Sequence, residues 1–253
     1  MSRVLTAAVA IPIVVLLTLF APPWLFALVV GAVAAFAVKE FFSLAEKKGI
    51  GHPRQWFLVP VAGVSISFLG GYGWVVSAVV AAALLLMAAT VFAGSLQTAL
   101  GTVAIGLASI VYCPLTLGFM ILIPRDRILL LYAIVWVGDT AAYYGGRAMG
   151  RHLLAPKVSP KKTVEGAISG LAGSVIAGAA GGTWFFHEPL PTLIWISAAT
   201  AIAGQLGDLA ESVLKRSAGV KDSSSIMPGH GGILDRLDSL FFAIPIFYWL
   251  LMA

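Results

Sequence analysis

The sequence predicts an all-α polytopic integral membrane protein, and three observations carry that reading. Of 253 residues, 60% are hydrophobic and only 11% are Asp, Glu, Lys or Arg, whereas a soluble domain averages about 25% charged residues. Residues 4–38 hold no charged side chain and are interrupted only by Pro22-Pro23. A bilayer span needs about 20 mainly apolar residues, so this stretch reads as two spans joined by a tight turn. Finally, the basic residues are distributed along the chain as the two faces of a membrane would require.

Nine apolar segments follow one another: 4–20, 24–38, 56–69, 74–93, 102–123, 129–144, 167–186, 192–209 and 240–252. The first could be mistaken for a cleaved leader. No clear small-x-small cleavage site precedes Pro22 and more apolar segments follow at once, so it is read as a retained span. The third and last are short, and the last is expected to sit with little tilt or in a thinned bilayer. If the N-terminus is cytoplasmic and all nine segments cross, fourteen of the 16 Lys and Arg fall on the cytoplasmic side. Only Arg125 and Arg127 lie on the other, the bias that the positive-inside rule describes. About nine transmembrane helices with the N-terminus in the cytoplasm are therefore expected.

The net charge of +5 belongs to those loops and to anionic lipid head groups. The basic residues form no run and are not interleaved with aromatics, which argues against nucleic-acid binding. Cys113 is alone in an apolar stretch, so it reads as a packing residue with no disulfide or zinc role. Gly166-x-x-x-Gly170 and Gly178-x-x-x-Gly182 place small residues on one face of the seventh segment, where they favour close helix packing.

The two halves differ. Residues 1–125 are plain spans, suited to a structural role, a homodimer surface or a path for lipid entry. Residues 126–253 carry the unusual chemistry. Asp139 lies inside an apolar segment, where an ionisable group needs a partner or a cavity. Tyr143 and Arg147 share its helix face, so Asp139 reads either as a brace to Arg147 or as a functional group. The loop between residues 147 and 165 contains Ser159-Pro160-Lys161-Lys162-Thr163-Val164-Glu165-Gly166. Ser159 or Thr163 can cap the next helix, with Pro160 in a first-turn position. A helix N-terminus beside Lys161 and Lys162 suits a phosphate; ordinary positive-inside charge is the plainer reading.

The densest cluster follows the eighth segment. Asp208, Glu211, Ser212 and Lys215 recur at helical spacing, followed by Arg216, Lys221 and Asp222. Then come Pro228-Gly229-His230-Gly231-Gly232, Asp235, Arg236 and Asp238. Carboxylates bind hard divalent cations, and Mg²⁺ takes one or two of them together with substrate phosphates. Lys and Arg meet the remaining phosphate charge, and glycines let backbone N–H groups approach an anion. His230, among glycines, has no neighbouring zinc ligands and reads as a loop-shaping or phosphate-contacting group.

From Ser212 to Asp238 the order and spacing of these residues closely resemble the signature of the phosphatidate cytidylyltransferase (CDP-diacylglycerol synthase) family, with Met227 at a position where another apolar residue is expected. Asp139-Thr-Ala-Ala-Tyr143 and the Ser159–Gly166 stretch are similar to the family's upstream motifs. The resemblance covers roughly residues 139–240. It implies a Mg²⁺-dependent transfer of the cytidylyl group of CTP to phosphatidic acid, giving CDP-diacylglycerol and pyrophosphate for phospholipid synthesis. The charge bias places the site on the cytoplasmic face, and a bacterial inner (cytoplasmic) membrane is the expected location.

Carried over residue by residue, Asp208 and Asp235 are the first-choice ligands of a two-cation centre. Asp238 is a further ligand candidate. Asp139, Lys161, Lys162, Glu165, Lys215, Arg216, Lys221, Asp222, His230 and Arg236 complete the candidate site. Two other readings stand beside this one: a CTP-dependent polyprenol kinase, and an ion-coupled transporter with Asp139 and Asp208 on its path. An alcohol acceptor would need a base that no residue clearly supplies. Charges gathered at one membrane face favour an enzyme over a transporter.

Overall fold

The structure, a computed structural model, describes residues 3–93, 95–224 and 231–252. Its helices are α1 (Arg3–Phe20), α2 (Pro23–Lys47), α3 (Leu58–Ile66), α4 (Tyr72–Ala93), α5 (Leu96–Ile110), α6 (Arg125–Met149), α7 (Val164–Phe186), α8 (Leu190–Ser217) and α9 (Leu234–Met252). Each apolar segment of the sequence is thus helical. Pro22 is extended and Pro23 opens α2, which makes the expected tight turn after α1. Short 3-10 turns flank α3. The helix begun by α5 continues through a π turn, Val111–Leu115, which contains Pro114. Proline has no N–H for the helical ladder, and the widened turn accommodates it.

Among the described residues, six helical stretches are long and apolar enough to cross a membrane: α2, α4, Leu96–Ile121, α6, α7 and α8. Ala8–Phe20 and Gln55–Gly70 are shorter apolar helices. The exterior is strongly apolar, with Phe92 and Leu100 exposed by 89% and 84%. A soluble surface rarely shows so much contiguous apolar area; this one suits lipid. The loop between α6 and α7 departs from the all-α expectation. Leu153–Ala155 (β1) and Ser159–Thr163 (β2) pair antiparallel as a small hairpin. Pro160 therefore lies in a strand and not in the first turn of a helix.

The chain forms two compact units. The first comprises residues 1–122 and 214–237, so it adds the polar segment after α8 to the N-terminal helices. In it α2 packs on α3, and α4 lies against both α3 and α5. Phe57, Phe68, Leu86, Ile110 and Cys113 are fully or almost fully buried, consistent with Cys113 as a packing residue. The Ser65 hydroxyl donates to the Pro114 carbonyl at 2.9 Å, meeting a carbonyl in the π turn.

The second unit comprises residues 123–213 and 238–253. Its main feature is the α6–α7 pair. Gly166, Gly170, Ser174, Gly178 and Gly182 are all buried on one stripe of α7. At Gly170, an added Cβ would meet the Ala142 Cβ at 2.9 Å and the Gly138 carbonyl oxygen at 3.1 Å on α6. On α8 it would meet the Gln205 side chain at 3.2 Å. Helices this close also bond directly: the Ser174 hydroxyl donates to the Ile134 carbonyl at 2.8 Å, and Gln205 Nε2 donates to the Ala167 carbonyl at 3.0 Å. Lipid offers no hydrophobic drive between helices, so close contact and such bonds are what hold them.

Gly63, in α3, has open space where its Cβ would be, and it provides a control. Alanine gains about 1 kcal/mol of helix propensity over glycine at either site. At Gly170 overpacking costs about 1–3 kcal/mol against that gain. Gly170→Ala is therefore expected to lower the melting temperature in detergent, whereas Gly63→Ala leaves it unchanged or raises it. Equal melting temperatures for the two variants would contradict the close α6–α7 approach.

Candidate functional site

In the second unit the hairpin and the start of α7 form one polar structure. The Thr163 side chain caps α7, accepting from the Gly166 N–H at 3.1 Å; of the two expected caps, Thr163 serves and Ser159 does not. The Val164 N–H donates to the His152 carbonyl at 2.9 Å. Glu165, in the first turn, accepts from the backbone N–H groups of Arg151 at 3.1 Å and His152 at 3.2 Å. It also meets His152 Nδ1 at 2.6 Å. Glu165 thus staples the entry of the hairpin to the start of the helix.

Side chains alternate across a strand, so Lys161 and Lys162 leave β2 on opposite faces. Lys161 is exposed. Lys162 is half-buried and forms an ion pair with Asp208 of α8, toward which the Ser212 hydroxyl donates from one turn on, at 3.5 Å. Asp139 makes no ion pair with Arg147. The charges that act on it are Asp208 and Lys162, so the helix-face spacing that suggested an intrahelical brace is overridden by groups on other elements. Asp238, in the first turns of α9, accepts from the Ser239 N–H at 2.7 Å.

In the first unit α8 ends at a glycine cap. Gly219 takes φ +72°, its N–H donates to the Arg216 carbonyl, and the Val220 N–H donates to the Lys215 carbonyl, each at 3.0 Å. This pattern satisfies carbonyls that a helix end otherwise leaves unpaired. The cap turns the chain back, and Lys215 Nζ reaches Asp235 Oδ1 at 2.6 Å. Oδ2 of Asp235 accepts from the Gly232 N–H at 2.7 Å, the Ser223 hydroxyl at 2.8 Å and the Ser223 N–H at 2.9 Å. Burial pushes the Asp235 carboxyl up, but these donors, Gly232 and Lys215 first, outweigh it and hold the group below the ordinary carboxylate range. Arg216 Nη1 donates to the Val220 carbonyl at 3.0 Å. Arg216, Lys221, Asp222 and Arg236 are exposed. His230 lies outside the described residues.

The sequence reading missed Glu40. It is 2% exposed on α2 and accepts from four groups: the Ser224 hydroxyl at 2.6 Å, the Leu234 N–H at 2.7 Å, the Ser223 hydroxyl at 2.9 Å and the Ile233 N–H at 3.0 Å. The signal available was an acid just after a long uncharged run, next to Lys39, where it passes for ordinary charge at the end of a span.

Among the described residues, no three His, Cys, Asp or Glu side chains converge into a ready metal cage. The donor chemistry nevertheless fits a hard cation. Taken singly, Asp208 and Asp235 each offer carboxylate oxygens beside a lysine ammonium group, and Mg²⁺ commonly uses one or two carboxylates with the rest of its shell from water and phosphate.

The apolar exterior and the spanning helices define an integral membrane protein. The cytidylyltransferase family model matches residues 1–253, and the chain belongs to that family. It is similar to proteins described as phosphatidate cytidylyltransferase. One from Staphylococcus saprophyticus is 48% identical over 126 residues, covering 49% of this chain and 48% of the relative. One from Haemophilus influenzae is 45% identical over 129 residues, covering 47% and 43%. One from Staphylococcus aureus is 48% identical over 127 residues, covering 49% and 48%. The chain spans about half the length of the curated relatives it matches.

The depressed pKa of Asp235 has a testable sign. The stability it contributes is present above the unfolded-state value of about 4 and is lost as pH falls through the lower folded-state value. Lys215→Met removes one cause of the depression. The melting-temperature gap between wild type and Lys215→Met is expected to be largest at pH 7 and to shrink below about pH 4. An equal gap at both pH values would mean that Lys215 does not act through the Asp235 charge.

Proposed function

We propose that this protein transfers the cytidylyl group of CTP to phosphatidic acid, forming CDP-diacylglycerol and releasing pyrophosphate. The observation that carries this reading is the family match over the whole chain, joined by relatives described as phosphatidate cytidylyltransferase. The lysines and carboxylates of α8, β2, the segment after α8 and the first turns of α9 are the groups such a reaction needs. A phosphate oxygen of phosphatidic acid bonds to the α-phosphorus of CTP as the bond to pyrophosphate breaks. The nucleophile is already an anion, so no strong general base is required. The barrier is mainly the approach of one anion to another, which positioned cations lower.

Asp208 and Asp235 are the proposed oxygen donors to Mg²⁺, with Asp238 as a further donor. When bound, the metal neutralises phosphate charge and stabilises the leaving pyrophosphate. Lys161, Lys162, Lys215, Arg216, Lys221 and Arg236 bind phosphate oxygens in this reading, while Glu165 keeps the hairpin that carries Lys161 and Lys162 in place. Asp139 modulates the charge around Lys162 and Asp208. Asp222 and His230 lie in the same signature and are assigned to shaping its loop.

Membranes containing the protein and labelled CTP, offered phosphatidic acid, a polyprenol or no lipid, are expected to yield labelled lipid only with phosphatidic acid. EDTA should abolish the product and Mg²⁺ restore it. Asp208→Asn and Asp235→Asn should each lower the rate by roughly a hundredfold or more while the protein still inserts. Product with polyprenol alone, or near-normal rates in either variant, would overturn the assignment.

We further propose nine spans with the N-terminus and the polar segments in the cytoplasm of a bacterial cell, which the charge bias supports. Single cysteines replacing Lys48 or Lys162 should resist an impermeant thiol reagent applied to intact cells, and one replacing Glu188 should react. Labelling at position 162 from outside would reverse the topology.

A further inference from the structure

We propose that Glu40, on α2, is a positioning residue for the signature segment: it ties both flanks of residues 225–230 to one helix and thereby sets where Asp235 is held. Four of its donors come from the two sides of that stretch. Ser223 and Ser224 precede it, and Ile233 and Leu234 follow it. Both carboxylate oxygens accept. The last two donors are backbone N–H groups at the start of α9, where the first N–H groups have no partner within their own helix and a negative charge is favoured.

The link to Asp235 runs through Ser223. Its hydroxyl lies 2.9 Å from Glu40 Oε2 and 2.8 Å from Asp235 Oδ2, but it has one proton and donates to one of them at a time. Its backbone N–H stays on Asp235. Ser223 is fully buried and Glu40 nearly so, so water offers neither a ready substitute. Gly232 shows how closely the segment is drawn in: a Cβ there would collide with the Glu40 carboxylate and the Ser223 hydroxyl. A carboxylate on an N-terminal helix thus orders the C-terminal segment, with Glu40 itself acting through Ser223 and the backbone.

The activity readout rests on the proposed cytidylyl transfer; hydrogen exchange of the full-length protein in detergent does not. Glu40→Gln keeps the shape but replaces one acceptor oxygen with an NH₂ that faces donors. Turnover at saturating CTP is expected to fall roughly tenfold or more, since buried donors lose their acceptor. Glu40→Asp, with both oxygens one methylene short, should recover part of it. In Glu40→Gln, amide exchange in a peptide spanning 231–236 should rise at least about tenfold, while the α6–α7 peptides keep wild-type rates. Gly232→Ala, which leaves Glu40 intact and pushes the segment away, should reproduce the same local rise. Unchanged exchange in 231–236 would overturn the proposal, as would a rise of equal size throughout the chain or wild-type turnover beside increased local exchange. If the wild type fails to transfer from CTP, the functional reading falls, and the local exchange pattern alone then decides the role of Glu40.

Discussion

A carboxylate removed from water has to be met by donors or cations, and the polar parts of this membrane protein are built around that requirement. Asp208 has the Lys162 ammonium. Asp235 has Lys215, two backbone N–H groups and a serine hydroxyl. Glu40 has the Ser224 hydroxyl and two backbone N–H groups, and shares the Ser223 hydroxyl with Asp235. Of these, Lys215–Asp235 is the buried ion pair, and breaking such a pair by removing one partner costs about 3–5 kcal/mol, much of it from the group left behind. The polar segments are therefore fixed to particular helices by individual side chains.

The second unit meets a different constraint in a related way. The hairpin that carries Lys161 and Lys162 begins just after α6 and ends at the cap of α7, so its position depends on how those helices meet. Small residues let them come close enough for Ser174 to bond a backbone carbonyl on α6. At the same end, Thr163 and Glu165 close the hairpin onto α7. A side chain added in the seam would disturb helix packing and the presentation of both lysines together.

Much of this was legible in the sequence, and what escaped did so for physical reasons. Long uncharged runs identify helices because lipid tolerates few alternatives, and all nine segments are helical. The helical spacing of Asp208, Glu211, Ser212 and Lys215 was visible in the sequence, and all four lie on α8. The hairpin was not, since β1 has three residues and β2 is Ser-Pro-Lys-Lys-Thr, with no alternation of apolar residues to mark a strand. Asp139 and Arg147 share a helix face by number, but the effective charges on Asp139 come from α8 and β2, which helical periodicity cannot anticipate. Glu40 is separated from its partners by more than 180 residues, and a single acid at the end of a span resembles ordinary loop charge.

Which phosphate of the nucleotide enters the lipid separates cytidylyl transfer from phosphorylation. Cytidylyl transfer moves the α-phosphate, and a kinase using the same nucleotide would move the γ-phosphate. With phosphatidic acid as acceptor, CTP labelled at the α-phosphorus should give labelled lipid, and CTP labelled at the γ-phosphorus should give unlabelled lipid and labelled pyrophosphate. Label from the γ position in the lipid product would contradict the account.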